Sequence, residues 1–259
     1  MSLNDGGLFK YLFTAESTSY FIFLALFTVA VIATSYLLGS INSAIIISKV
    51  IYHDDVRLHG SGNPGLTNML RTFGGAAAGL TLLGDFMKTA ISIAIAGVLF
   101  GFNYVGGVST GMGMCYVAGL FAVIGHIAPV YYKFKGGKGV LTTAVTALIL
   151  TPVPFIILFA MFATIVAISK YVSLGSVISA VFYPVILHAY FSLAFDFSPA
   201  TPGLASLSTI VIAILIVYCH RGNLQRISNR TERKISFGKK SAPKEEAVTE
   251  AEEDDGSEE

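Results

Sequence analysis

Four short segments of this chain gather residues suited to holding an anion. The first is Gly60-Ser61-Gly62-Asn63-Pro64-Gly65-Leu66-Thr67-Asn68-Met69-Leu70-Arg71. Alternating glycines let successive backbone N–H groups turn toward one point and form an anion nest, while Ser61 and Thr67 add hydroxyls. Thr67 is placed to begin a helix, and Arg71 lies one turn further on the same face. A planar guanidinium there matches phosphate oxygens. A Gly/Asn turn between two spans would use the same residue types, so the segment alone leaves both readings open. No Walker lysine follows, and a nucleotide-binding P-loop is not indicated.

The second segment, Lys133-Phe134-Lys135-Gly136-Gly137-Lys138-Gly139, sets three lysines around a glycine pair. Lysines beside a membrane also attract anionic headgroups, at about 1 kcal/mol each. The adjacent Gly136 and Gly137 favour an anion site, because close backbone approach to a phosphate needs that freedom. The third segment brings Ser173 and Ser176 to a helix start, where serines are usually structural caps. The fourth, His220-Arg221-Gly222-Asn223, offers an imidazole that can act as acid, base or phosphate donor. His126 is a weaker candidate, less than two helical turns before the lysine segment. Asp85 and Lys88, three apart, can pair on one helix face; the bland alternative is a solvated ion pair at the start of a span.

The elements that position these groups follow from composition. Of 259 residues 54% are hydrophobic, and 17 basic plus 16 acidic residues are too few for a water-soluble domain. The chain reads as an all-α polytopic membrane protein. Uncharged runs long enough to span, about 20 helical residues, predict seven transmembrane helices near 18–38, 86–104, 109–132, 139–151, 153–169, 173–191 and 205–219. The run 139–169 is split because Thr151-Pro152-Val153-Pro154 removes donors and disfavours helix before each proline. The first half is then only about 20 Å long. No basic residue precedes Lys10 and no small-residue cleavage signal follows the first run, so that run reads as a span and not a signal peptide.

Orientation follows the basic residues, which short cytoplasmic loops retain. Lys49, Arg57, Arg71 and Lys88 fall between spans one and two, three lysines between three and four, Lys170 between five and six, and eight residues after span seven. Sixteen of seventeen therefore share one side, Lys10 being the exception. The alternate loops 101–110, 151–154 and 192–203 carry none. This predicts an external N-terminal segment (1–17), a membrane domain (18–234) and a cytoplasmic tail (235–259). The tail is read as disordered, with nine of the sixteen acids from Glu245 onward. All four polar segments then meet at the cytoplasmic face. Cys115 and Cys219 lie in apolar runs without metal or disulfide spacing and read as free buried thiols.

With these pieces in order the chain resembles the bacterial acylphosphate:glycerol-3-phosphate acyltransferases, membrane-integral enzymes that begin phospholipid synthesis. The resemblance covers about residues 36–234. It rests on Gly39-Ser40-Ile41; on Gly60-Ser61-Gly62-Asn63 with Gly65, Thr67-Asn68 and Arg71; and on Gly125-His126 leading to Pro129 and Phe134-Lys135-Gly136-Gly137-Lys138. It continues with Ser173-Leu174-Gly175-Ser176 and with His220-Arg221-Gly222-Asn223 followed by Arg226 and Thr231-Glu232. The chain departs from the family pattern at Asn42, where proline is expected, and at Thr89, where glycine is usual. Both bear on local helix geometry and neither touches the anion segments.

The resemblance implies transfer of a fatty acyl group from acyl phosphate to the 1-hydroxyl of glycerol 3-phosphate, giving lysophosphatidate and inorganic phosphate without a cofactor or metal. Two phosphorylated reactants need two anion sites, and an acyl chain needs the bilayer edge. Direct attack on an already activated carbonyl would rely on positioning and charge stabilisation. In this expectation Ser61, Asn63, Thr67 and Arg71, supported by Gly60, Gly62 and Asn68, hold the departing phosphate. Lys138, with Lys135, Gly136, Gly137, Ser173 or Ser176, His220 and Asn223, holds glycerol 3-phosphate. No His is followed four residues later by Asp, so the soluble-type acyltransferase pair is absent.

A phosphorylated-solute transporter would need an alternating path, yet the polar groups cluster at one face with no evident inverted repeat. A metal-dependent phosphoalcohol transferase would need an Asp-rich cluster, and the core holds only Asp54, Asp55, Asp85 and Asp196. A nucleic-acid role has no aromatic-interleaved basic surface to support it.

Overall fold

The computed structural model describes residues 18–101, 110–194 and 203–235. The external loops expected at 101–110 and 192–203 fall largely outside them, as do the N-terminal segment and all of the acidic tail except Ile235. Among the described residues every regular element is helical. These are α1 (Thr18–Ser40), α2 (Ser43–Val50), α3 (Leu66–Thr72), α4 (Gly75–Phe100), α5 (Thr110–Ile127), α6 (Val140–Leu150), α7 (Pro152–Ser169), α8 (Val172–Ala194) and α9 (Gly203–Ser228), with 3₁₀ turns at Val56–Leu58 and Val130–Tyr132. Among the described residues six segments are long and apolar enough to cross a membrane, the first joining α1 and α2 as Phe21–Val50; the expected seventh span, α6, is an apolar helix of 11 residues and falls short of that length.

The central element is α5, which packs on α1, α4, α6 and α9. Its glycines let backbones meet. A Cβ on Gly125 would lie 2.3 Å from the Tyr36 carbonyl oxygen of α1, and one on Gly39 of α1 would lie 2.4 Å from that of Ala122. Without a hydrophobic drive between helices in lipid, such close van der Waals contact is what holds a bundle together. Val31, Ile93, Tyr116 and Leu187 fill the interior of this packing. Phe21, Ile156, Phe159 and Ile214 point outward, as a lipid-facing surface requires.

The prolines act as expected at the α6–α7 junction. The first helix ends at Leu150, Thr151 is the break, and Pro152 starts α7 at a position where a missing N–H costs nothing. Lys170, in the left-handed conformation at φ 63°, ends α7 before α8 begins. Two expected boundaries move. The second span starts at Gly75, eleven residues before the expected 86, because Asp85 and Lys88 neutralise each other inside the helix. The pair is buried, and the solvated alternative does not apply. The last helix runs on to Ser228, nine residues past the expected 219, so His220 to Asn223 lie on a helix and not in a loop.

The two departures from the family pattern have local roles. Asn42 caps α2 by accepting from the Ile45 N–H at 3.0 Å. Thr89 Oγ1 donates to the Asp85 carbonyl one turn back, at 2.8 Å.

Candidate active site

One cavity of about 670 Å³ draws on most of the expected segments. At its polar end stand Ser61, Asn63, Thr67 and Arg71, then Lys138, then Ser173 and Ser176 at the start of α8. His220, Asn223 and Arg226 reach it from α9, and Thr231 and Glu232 from the chain that folds back afterwards. Its other end is apolar. There Ala144 and Ala147 of α6 face Phe155, Leu158 and Phe162 of α7 and Ala180 of α8. Short α6, packed on α4, α5 and α7, leaves this side open to the cavity.

The Ser61 segment is organised by Asn68 of α3. Its Oδ1 accepts from the Ser61 N–H at 3.0 Å, and its Nδ2 donates to the carbonyls of His59 at 3.0 Å and Val56 at 3.1 Å. Gly60 sits at φ +61°, and a Cβ there would lie 2.2 Å from Asn68 Oδ1, so both the conformation and the contact call for glycine. The N–H groups of Gly62 and Gly65 donate within the loop, to His59 and Asn63. The expected nest is corrected accordingly, since these donors are spent on the loop. What faces the cavity is chiefly side chains, with the backbone of Gly65. Asn68 lines it while serving as the loop's internal strut, and Thr67 sits inside α3, whose cap is Gly65. Arg71 is half-buried, one turn after Thr67, and among the described residues no hydrogen bond or ion pair occupies its guanidinium.

The glycine pair of the second segment closes onto the end of α5. The Gly136 N–H donates to the Ile127 carbonyl at 3.1 Å and the Gly137 N–H to that of His126 at 3.0 Å. A Cβ on Gly136 would lie 2.1 Å from the His126 carbonyl oxygen. The expectation that the pair approaches a phosphate is therefore replaced by a packing role, in which it satisfies carbonyls a helix end leaves unpaired. Lys135 is exposed and, with Gly136, Gly137, Gly60 and Gly62, does not line the cavity. Lys138 does, and its Nζ donates to Asn223 Oδ1. Burial lowers its pKa below the ordinary lysine range; Glu232 opposes that shift and Arg226 adds to it.

Glu232 ties the remaining groups together. Its Oε1 accepts from Ser173 Oγ at 2.9 Å and Asn223 Nδ2 at 2.6 Å, and its Oε2 from Arg226 Nε at 2.8 Å. Burial pushes its pKa up, but the bonds from Asn223, Arg226 and Ser173 outweigh that and hold it below the usual carboxylate value. The site-residue expectations omitted Glu232. The signal was present, because it is the one acid in the basic run from Arg221 to Lys234. Ser176 donates to the Val172 carbonyl at 2.9 Å, so its hydroxyl can still accept. His220 Nδ1 lies 2.8 Å from the Ile216 carbonyl. A carbonyl only accepts, so Nδ1 carries the proton and Nε2 keeps a lone pair.

The cavity thus has two cationic poles, Arg71 and Lys138, with a base-capable imidazole and an apolar arm. This arrangement can hold two anionic groups and one hydrocarbon chain together. Comparison with known proteins agrees. The family model described as "Glycerol-3-phosphate acyltransferase" matches residues 29–230. The glycerol-3-phosphate acyltransferase of Geobacillus kaustophilus (strain HTA426) is 36% identical over 215 residues, covering 83% of this chain and all of that protein. A crystal structure of PlsY (YgiH), an integral membrane glycerol 3-phosphate acyltransferase in its glycerol 3-phosphate form, superposes with a TM-score of 0.68 at 30% identity, covering 81% of this chain and 96% of that one. Its lysophosphatidic acid form gives 0.66 at 29% identity. The chain belongs to the glycerol-3-phosphate acyltransferase family of integral, multi-pass membrane enzymes.

Proposed function

We propose that this enzyme transfers a fatty acyl group from acyl phosphate to the 1-hydroxyl of glycerol 3-phosphate, releasing lysophosphatidate and inorganic phosphate at the cytoplasmic face of a bacterial cell membrane. The observation that carries the reading is the joining of two cationic poles and one apolar arm in a single cavity. A thioester donor would bring no phosphate to the reacting carbon, whereas acyl phosphate places one beside it. The cytoplasmic assignment draws on the basic residues of the loops between spans, which are expected on one side; Lys88, buried in α4 beside Asp85, does not count among them.

In this mechanism Arg71, with Ser61, Asn63 and Thr67, holds the phosphate that departs. Lys138, Ser173, Asn223 and Arg226 hold glycerol 3-phosphate, and Glu232 keeps the last three aligned. The acyl chain lies along α6, α7 and α8, with its tail toward Ala147 and Leu158. The glycerol oxygen attacks the carbonyl carbon, the new C–O ester bond forms, and the acyl carbon–phosphate oxygen bond breaks. His220 Nε2 accepts the hydroxyl proton and returns it to the released phosphate. No covalent acyl-enzyme is required, because the donor is already activated and the protein's task is alignment and charge stabilisation.

The test is phosphate release by purified protein. Release from palmitoyl phosphate that depends on added glycerol 3-phosphate supports the reading, while activity only with palmitoyl-CoA rejects the donor and keeps the acyltransferase class.

A further inference from the structure

Among the described residues the mechanism above leaves unused a cluster of ionisable side chains that is buried between helices. Asp85 and Lys88 of α4 are 2% and 4% exposed, and His126 near the end of α5 is 4% exposed. Ionisable groups sealed within membrane-spanning helices are costly and mark functional positions by default. Lys88 Nζ has one acceptor for each of its three N–H bonds: Asp85 Oδ1 at 2.8 Å, the Ile41 carbonyl at 2.9 Å and His126 Nδ1 at 2.9 Å. An ammonium has three donors and no acceptor, so its capacity is filled. Because Nδ1 accepts, the neutral imidazole carries its proton on Nε2. Asp85 Oδ1 also accepts from Ser43 Oγ at 3.0 Å.

The partners on each side of this cluster lead to different poles of the cavity. Ile41 and Ser43 flank Asn42 at the break between α1 and α2, and Asn42 Nδ2 donates to the Pro64 carbonyl, inside the Ser61 segment, at 3.3 Å. On the other side the His126 carbonyl accepts from the Gly137 N–H at 3.0 Å. Its ring lies so close that a Cβ on Gly137 would stand 2.2 Å from Nε2. Lys138 is the next residue. Asp85 and His126 also form part of the cavity wall that the two poles share.

We propose that Lys88, Asp85 and His126 are positioning residues, a brace that fixes the separation of the Ser61–Arg71 pole from the Lys138 pole. The proposal rests on the two-phosphate reading above. Transfer between two bound reactants depends on their mutual alignment, and a misplacement of about 1 Å can cost about 10²-fold in rate. Each pole keeps its own side chains without the brace, so each still binds its phosphate.

The test uses the full-length protein in detergent, with turnover counted per site that binds radiolabelled glycerol 3-phosphate. The double variant Asp85→Asn/Lys88→Met removes the ion pair without leaving one buried charge unmatched. It is expected to bind glycerol 3-phosphate within about 3-fold of the original Kd and to turn over about 10²-fold more slowly per binding site. A folding role alone would reduce the number of binding sites while leaving turnover per site intact, and that result overturns the brace.

A second pair of substitutions decides the matter if that variant does not fold. Gly137→Ala drives a methyl group into an imidazole that Lys88 holds in place, and turnover falls; His126→Ala removes the obstruction. His126→Ala, which breaks the brace, is expected to slow turnover per binding site about 10²-fold without loss of glycerol 3-phosphate binding, and Gly137→Ala added to it should cost little more, because the methyl then meets no ring. Losses that simply multiply overturn the proposal. All variants are run with whichever donor, palmitoyl phosphate or palmitoyl-CoA, supports the original protein, so a wrong donor is distinguished from a wrong brace.

Discussion

The segment around Ser61 and the segment around Gly136 have the same ingredients, glycines beside hydrogen-bonding and cationic side chains, yet they use them differently. In the first, glycine at φ +61° and +69° bends the chain around Asn68 and leaves Ser61, Asn63, Thr67 and Arg71 facing the cavity. In the second, the glycines press the backbone onto the end of α5, and of its three lysines only Lys138 reaches the cavity. Glycine content therefore does not identify a phosphate cradle. The discriminating quantity is which side chains the bent backbone presents, Ser61, Asn63, Thr67 and Arg71 in the first segment and, of three lysines, Lys138 in the second.

The comparison can be broken where it is sharpest. Arg71→Ala removes the one cationic group of the first segment that faces the cavity, and turnover is expected to fall about 10³-fold while the melting temperature in detergent stays unchanged; near-normal activity would remove the first pole altogether. Lys138→Ala is expected to cost about 10²-fold, expressed mainly as weaker glycerol 3-phosphate binding, which isothermal titration would measure. The same lysine sharpens the contrast through pH. Its pKa is lowered by burial, so the alkaline decline of kcat/KM should begin below the ordinary lysine value of about 10.4, and Lys138→Arg should move it to higher pH.

Gly136→Ala tests the packing role of the second segment. A methyl 2.1 Å from a backbone oxygen cannot be absorbed by a side-chain shift, and a loss of about 1–3 kcal/mol in stability is expected, read as a lower melting temperature. A full-stability variant with weakened phosphate binding would restore the nest that the hydrogen bonding argues against. The smallest effect belongs to Lys135→Ala. The residue is exposed and outside the cavity, and turnover should remain within about twofold.

Much of this molecule was legible residue by residue. Uncharged runs marked the spans, the Thr151–Pro154 sequence marked the α6–α7 break, and the spacing of Ser61, Arg71, Lys138, Ser173, His220 and Asn223 marked cavity groups. Illegible were the start of α4 and the end of α9. Asp85 and Lys88 look like a boundary to any reading that counts charges; their spacing allows a pair, but whether that pair is solvated or buried depends on helices distant in sequence. His220 to Asn223 look like a loop because glycine and asparagine are weak helix formers, yet tertiary packing keeps them helical.

Periodicity, hydropathy and charge asymmetry are properties of the chain itself, and they were enough to determine an all-helical membrane protein with its polar groups at one end. Which polar groups remain available to a ligand was decided only by tertiary structure. Asn68, Gly136 and Gly137 are consumed by carbonyls and amides distant from them or across a turn, while Arg71 is left open and Glu232 is drawn in from beyond the last helix. The physical reason is that hydrogen-bond capacity is finite, and its allocation depends on neighbours that only folding brings within about 3 Å.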